Sequence, residues 1–438
     1  MNDKVNETTK PWRAVENSGP CLATLLRTFT EWGFNMQTGT FFLPSRRCIA
    51  ALGLGVVLGL SGARAEEPGI SPTEIKIGAI GALTGPTAFI GAPGRDSLAI
   101  AFDEINHRGG VCGRTLKLQY ESASTPAESL AAVKKLVEED KVFILVLASG
   151  STGAAAAADY VRSTGVPTYN LYGTTPIIRE PFAMNIFHGA IVPSRVAGGG
   201  LVSMLYDGNN QPRKVGVLAG TYAYPEAALG GVENGLKSKK LDYMVERFDQ
   251  SARDFTAQLV AFNRQKVDSV IILGSFAEAG FAIKQARELG MSNVHWVLDG
   301  SAVSSAIIPI LGNADGIRGY FNAPVFPGQN DQAHAYEATL TKKLGSLPQG
   351  RPNDYDFVGY GSGYVVAAAI KATGCDLNRE KLLDAWNHLK DAGPQTGGGI
   401  DISFLENFTP TDHQGTYNLG ATVVKNGKWQ VYRVIDGR

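Results

Sequence analysis

At 438 residues the chain is longer than a single hydrophobic core usually organises, so two domains are expected. Hydrophobic residues make up 44% of it and charged residues 19%, which excludes a disordered chain and a polytopic membrane protein. Lysine plus arginine equals aspartate plus glutamate at 41 each, a balance with no electrostatic footprint for nucleic acid.

Taken in chain order, the first legible segment is RRCIAALGLGVVLGLSGARA at residues 46–65. Two arginines precede an apolar run, and Ala63-Arg64-Ala65 fits a small-residue cleavage site, so the segment reads as a signal peptide. The run is shorter than the roughly 20 residues of a membrane span. The 35 residues before Met36 are long for the start of such a signal. Residues 1–65 are therefore read as an N-terminal extension plus signal peptide, with translation starting at Met36 and cleavage after Ala65. Ser45-Arg46-Arg47 fits the opening of a twin-arginine motif and Cys48-Ile49-Ala50 does not continue it, so the twin-arginine and general secretory routes both stay open. No cysteine follows Ala65 to carry a lipid, so a lipoprotein is not expected.

Residues 66–438 carry 34 basic and 37 acidic side chains and two cysteines, Cys112 and Cys375. In an oxidising periplasm these two either pair or remain free thiols, and the sequence leaves both open.

Short β-branched runs then alternate with helical stretches. Strands are predicted at 75–80, 116–120, 143–147 and 166–169, with helices over 94–108, 126–139 and 154–162. Gly109-Gly110 ends the first helix in the manner of a left-handed cap. A second cycle has helices from 195 to about 206, at 225–238 and at 277–289, with strands at 214–218, 244–248 and 270–273. Such alternation implies parallel sheets in right-handed βαβ units, and two cycles imply two α/β lobes. Two further helices are predicted at 354–373 and 379–390, and a β-hairpin over 417–435 turning at Asn426-Gly427.

Two motifs invite enzymatic readings and fail on their own terms. Gly78-Ala79-Ile80-Gly81 follows a strand, but the dinucleotide fingerprint needs glycine where Ile80 stands. Ser149-Gly150-Ser151 resembles a nucleophile elbow, which needs glycine where Ser149 stands. The histidines at 107, 188, 295, 334, 388 and 413 show no metal-ligand spacing. The chain is accordingly expected not to be an enzyme and to need no metal or cofactor.

Ser151-Thr152-Gly153 lies between a buried strand and a helix. Ligands of parallel α/β sheets bind at the carboxyl ends of strands, where a helix N-terminus offers free amides and a favourable dipole to an anion. Taken alone, either hydroxyl could simply cap the helix. Tyr172-Gly173-Thr174-Thr175 follows the next strand and places a second hydroxyl cluster on the same sheet edge, as a convergent pocket floor would require.

Three stretches, IKIGAIGALTGPTAFIGAPGRDSLAIAFDEINHRGGVCGR, AVKKLVEEDKVFILVLASGSTGAAAAADYVRSTGVP and FAIKQARELGM, occur in an order and spacing that resemble one family. It is the type I periplasmic binding proteins of the leucine/isoleucine/valine-binding kind, and the likeness runs over essentially all of residues 66–438. It implies an α/β fold of two Rossmann-like lobes with parallel sheets joined by a three-stranded hinge. Residues 66–190 plus 322–412 would form lobe 1, and 191–321 plus 413–438 lobe 2. The resemblance further implies a substrate-binding component of an ABC importer, periplasmic and monomeric, partnered by permease and ATPase subunits. Its ligand would be a small carboxylate, such as a hydrophobic amino acid or an aromatic acid, held by hinge closure.

By position in the family's motifs, Ser151, at the helix start beside Thr152, and Thr174 would hold the ligand carboxylate. Tyr224 and Phe276 would close from lobe 2, and Asp299 would meet an ammonium group. Tyr172 stands where branched-chain binders have a small residue, and Ile90 where they have a tyrosine, so the pocket should be reshaped. The stretch Pro410-Thr411-Asp412-His413-Gln414-Gly415 looks like the branch that includes binders of aromatic acids. Both cysteines fall in lobe 1 in this arrangement, compatible with a disulfide. A ligand-sensing receptor of the same fold and a periplasmic hydrolase are the alternatives.

Overall fold

The computed structural model describes residues 67–438. The expected extension, the Met36 start and the cleavage point after Ala65 lie outside the described residues.

β1 (Glu74–Gly81) shows how the first sheet forms. Ile75 and Ile77 are fully buried between the half-exposed Glu74 and Lys76, and from Ile77 onward every residue is buried, as befits a strand covered on both faces. It pairs in parallel with β2 (Thr115–Ser122) on one side and β3 (Ile144–Leu147) on the other. β4 (Thr168–Asn170) and β5 (Ile186–His188) extend the sheet in parallel, giving the order β2-β1-β3-β4-β5.

The second sheet repeats the scheme. β6 (Lys214–Gly220), β7 (Asp242–Phe248), β8 (Ser269–Leu273), β9 (His295–Leu298) and β10 (Arg318–Phe321) run parallel. The hairpin β11 (Asn418–Lys425) and β12 (Lys428–Asp436) adds two antiparallel strands at one edge, in the order β12-β11-β10-β9-β8-β6-β7. Its turn residues Asn426 and Gly427 both have positive φ, 52° and 70°, which suits the right-handed twist of the flanking strands.

The chain passes between the two sheets three times. It leaves the first sheet after β5 and leaves the second after β10. The helices Asp331–Leu344 and Asp354–Ala372 then pack with helix Ala88–His107 of the first lobe, and Arg379–Asn387 packs on Asp354–Ala372. It finally returns through residues 412–418 to β11. The first and last passages run side by side: His188 N donates to His413 O and Gly415 N donates to His188 O, both at 2.8 Å. The Gln414 side chain reinforces them by donating to Gly189 O at 2.7 Å and Thr416 O at 3.0 Å.

Helix Ala88–His107 starts earlier than the 94–108 span expected from periodicity. Pro93 lies inside it, and a proline there cannot donate to the carbonyl four residues back. That carbonyl, Phe89 O, instead accepts from Asn353 Nδ2 at 3.3 Å, so the helix runs through the proline without an orphaned acceptor. The same two helices are tied by Arg351, whose guanidinium bonds Asp96 at 2.8 Å and also Asp356.

Cys112 and Cys375 form a disulfide across 263 residues of sequence. It links the segment after helix Ala88–His107 to the segment after helix Asp354–Ala372. A cross-link closing so long a loop removes freedom from the unfolded chain, so replacing both cysteines by serine should cost roughly 2–5 kcal/mol. A melting temperature several degrees lower under otherwise equal conditions would show this, and an unchanged value would refute it.

Candidate functional site

The carboxyl ends of β3 and β4 are adjacent because the strands pair in parallel, with Leu147 beside Asn170. Each strand is followed by a hydroxyl-bearing loop. After β3 the chain turns at Gly150, whose φ of 69° is a left-handed conformation that glycine adopts without strain, and enters helix Gly150–Thr164. After β4 it runs through Tyr172-Gly173-Thr174. The two loops meet: Ser151 Oγ lies 3.0 Å from Thr174 Oγ1 and accepts from Thr174 N at 3.1 Å. Both side chains are buried. Ser151 is thus engaged across the strands, and the cap position of the helix is Ser149, which makes no capping bond. Ser149 Oγ is buried with no hydrogen-bond partner. The amides of Gly150, Ser151 and Thr152, in the first helical turn, have no intrahelical acceptor.

These groups floor a cleft of about 860 Å³, its mouth included. Its other wall comes from the corresponding strand ends of the second sheet. Tyr222 and Tyr224 follow β6, Ser275 and Glu278 follow β8, Gly300 and Ser301 follow β9, and Tyr320 lies within β10. Tyr224 and Tyr320 share a hydrogen bond of 2.7 Å between their hydroxyls. Burial holds both phenols well above their ordinary range, so they remain neutral hydrogen-bonding groups.

The charge inventory of the cleft is short. Its lining includes no lysine, arginine or histidine, and one carboxylate, Glu278. Glu278 accepts from Tyr222 OH at 3.0 Å and from the amides of Ser251 and Ser275 at 2.7 Å each. An anion here would be held by hydroxyls and helix amides, and its body would meet aromatic walls.

Of the residues expected from sequence, Ser151, Thr152, Tyr172, Thr174 and Tyr224 line this one cleft. Tyr172 lines the cleft with its ring seated against two glycines. The ring sits where Gly94 and Gly359 have no side chain: a Cβ on Gly94 would stand 2.9 Å from the ring and one on Gly359 2.6 Å from the hydroxyl. The hydroxyl donates to Tyr355 O. Ile90 lines the cleft beside it.

Two expected residues stand apart from that lining. Phe276 faces a neighbouring chamber and meets the Phe89 ring edge-on at 6.1 Å. Asp299 is fully buried behind the wall, where its carboxylate accepts from Gly274 N, Ser301 N and Ser301 Oγ. Burial pushes its pKa up to about 7.

Residues that sequence reasoning missed are Glu278, Asn322, Tyr355 and Arg179. Asn322 lines the cleft and donates through Nδ2 to Asp354, while its buried Oδ1 has no partner. Arg179 lies behind the Thr174 loop, donating to Gly173 O at 2.7 Å and to Gln414 Oε1 at 2.9 Å, so it joins the loop to a passage between lobes. No local motif marks these positions. Among the described residues no three histidine, cysteine or acidic side chains cluster to hold a metal ion, and no helix is long and apolar enough to cross a membrane.

The chain is similar to the leucine-specific-binding protein of Salmonella typhimurium, 24% identical over 232 residues that make up 52% of this chain. It spans 62% of that relative's length. In fold it resembles a branched-chain amino acid transporter substrate-binding protein of Streptococcus pneumoniae in complex with isoleucine. The TM-score is 0.70 at 21% identity, with 83% of this chain and 99% of that one covered. It equally resembles a solute-binding protein of an ABC transporter from R. palustris in complex with 4-hydroxybenzoate. There the TM-score is 0.70 at 19% identity, with 83% and 97% covered. The periplasmic binding protein family model matches residues 74–428. With two parallel-sheet lobes whose strand ends converge on one cleft, the chain belongs to the periplasmic binding protein family and has the fold of its leucine-binding members.

Proposed function

We propose that this chain is the extracytoplasmic substrate-binding component of an ABC importer and that it takes a small carboxylate with an apolar or aromatic body. The observation that carries this reading is the buried Ser151–Thr174 hydroxyl pair at a helix N-terminus, beside the unpartnered Ser149 Oγ, in a cleft without basic side chains. Hydroxyls and helix amides suit a carboxylate, and charge-assisted bonds to it fix the ligand's orientation. Residues 66–190 with 322–412 would act as one lobe and 191–321 with 413–438 as the other, closing over the ligand about the three passages. The closed form would then dock on membrane permease and ATPase subunits. Ser151 Oγ is bonded to Thr174 and to no base, which supports binding without turnover.

An acid lacking an α-ammonium fits better than an amino acid. Both candidate partners for an ammonium, Glu278 and Asp299, already have three donors each. The unpartnered Asn322 Oδ1 offers an acceptor to a ligand hydroxyl instead. The resembling fold from R. palustris holds 4-hydroxybenzoate, an acid of that class.

A thermal-shift screen against aromatic acids, short aliphatic acids and branched-chain amino acids tests the proposal. A ligand at roughly 1,000 times its dissociation constant adds about 4 kcal/mol to stability, a rise of several degrees. The expected result is a shift with benzoate-type acids that exceeds any shift with leucine. A response confined to amino acids would refute the ligand class, and no response to any carboxylate would overturn the reading.

A further inference from the structure

The cleft does not end at the carboxylate floor. Phe89, Gly300, Ser301 and Tyr355 line it and also line a second chamber of about 740 Å³, its mouth included. The rest of that chamber's lining includes the apolar Ala88, Ala92, Pro93, Val303 and Pro348 and the polar Ser304 and Gln349. What divides the two spaces is an aromatic cluster. The half-buried Phe89 ring meets Tyr355 edge-on at 5.8 Å and Phe276 edge-on at 6.1 Å. The Phe89 backbone is anchored through its carbonyl to Asn353, whereas its side chain has no polar tie. Edge-to-face contacts are weak beside a hydrogen bond to a charged group, so this partition is far easier to displace than the carboxylate floor.

The second chamber is also chemically distinct. Its one cation, Arg351, is engaged by Asp96 and Asp356. Asp354 is buried and accepts from the backbone and side-chain amides of Asn322. Three carboxyl groups against one guanidinium leave nothing to attract a second anion, while the walls are largely apolar. A ligand reaching across both chambers would therefore carry one carboxylate and an uncharged tail.

We propose that the second chamber is a tail subsite for monocarboxylates with an extended neutral tail, such as ω-arylalkanoates, and that Phe89 is the residue that sets the accepted length. The proposal rests on the carboxylate reading above, with the head group at Ser151 and Thr174 and the tail displacing the Phe89 ring.

Calorimetric titration of the protein with benzoate, 3-phenylpropanoate and 5-phenylpentanoate tests it. Affinity is expected to rise with length. Ala92→Phe, which fills the second chamber from the helix wall, should lower affinity for 5-phenylpentanoate at least tenfold and leave benzoate within twofold. Ala88→Phe fills the same space from another position and serves if Ala92→Phe fails to fold. Phe89→Ala should raise affinity for the longest acid relative to benzoate. Equal effects of these variants on every length, or no effect on any, would overturn the tail subsite while benzoate binding sensitive to Ser151→Ala leaves the carboxylate reading standing. If none of the three acids binds, the carboxylate reading itself fails and the subsite with it.

Discussion

Ser151→Ala is expected to weaken binding of a carboxylate ligand about 10- to 100-fold without unfolding the protein. A hydrogen bond to a charged group contributes roughly 1.5–3 kcal/mol, and that is what the lost hydroxyl would have supplied. The substitution also removes the acceptor of Thr174 N and the partner of Thr174 Oγ1. Part of the loss should therefore come from a loosened Thr174 loop, at a cost of about 1 kcal/mol in stability. Thr174→Ser keeps a hydroxyl at the same place and should lose little, while Thr174→Ala should resemble Ser151→Ala. Titration calorimetry with the best ligand from the screen, run beside a melting curve, separates the two contributions. An affinity for Ser151→Ala equal to that of the parent protein would remove Ser151 from the site.

The second large effect lies away from the ligand. Glu406 is 1% exposed and sits between the passages that join the lobes, accepting from Tyr169 OH at 2.7 Å with the backbone of Ala190 close by. Burial raises its pKa to about 8, although the bond from Tyr169 pulls the other way. An unfolded glutamate titrates near 4.3, so between those values the folded state holds a proton that the unfolded state has released. Stability from this group is therefore fully present below about pH 4 and is lost as pH rises through about 8. The full change is on the order of 5 kcal/mol. Glu406→Gln keeps an acceptor for Tyr169 and cannot ionise. Its melting temperature should fall less than that of the parent protein between pH 5 and pH 9, so that the variant gains on the parent as pH rises. Parallel melting curves across that range would refute the assignment.

Much of this protein was legible before its structure. Strand runs such as Ile75–Ile80 and Val270–Leu273 are β-branched and bounded by glycine or polar turns, and they appear as β1 and β8. The hairpin turn at Asn426-Gly427 was readable because few residue pairs accept two positive φ values. Shorter elements escaped. β5, β9 and β10 have three or four residues each and lack the unbroken apolar run that marks the equally short β3. Helix Asp331–Leu344 does carry a local signal, namely the Asn330 cap followed by the buried Ala333, Tyr336 and Leu340.

For the site, the sequence by itself determined that hydroxyl-bearing loops follow two consecutive strands. Neighbouring parallel strands bring such loops together, whereas the choice of Ser151 and Thr174 as carboxylate ligands came from the family resemblance. Only the tertiary structure decided which acids face the cleft. Asp299 and Glu278 follow adjacent strands, and the first is turned inward because Gly274 N and Ser301 claim its oxygens. It alone decided the seat of Tyr172, which depends on missing side chains at Gly94 and Gly359 in two distant helices. It also settled the pairing of Cys112 with Cys375, separated by 263 residues. The physical reason is common to all three: local pattern specifies where a strand ends and a helix begins, whereas the direction a side chain takes from that point depends on which distant groups offer it space or a hydrogen bond.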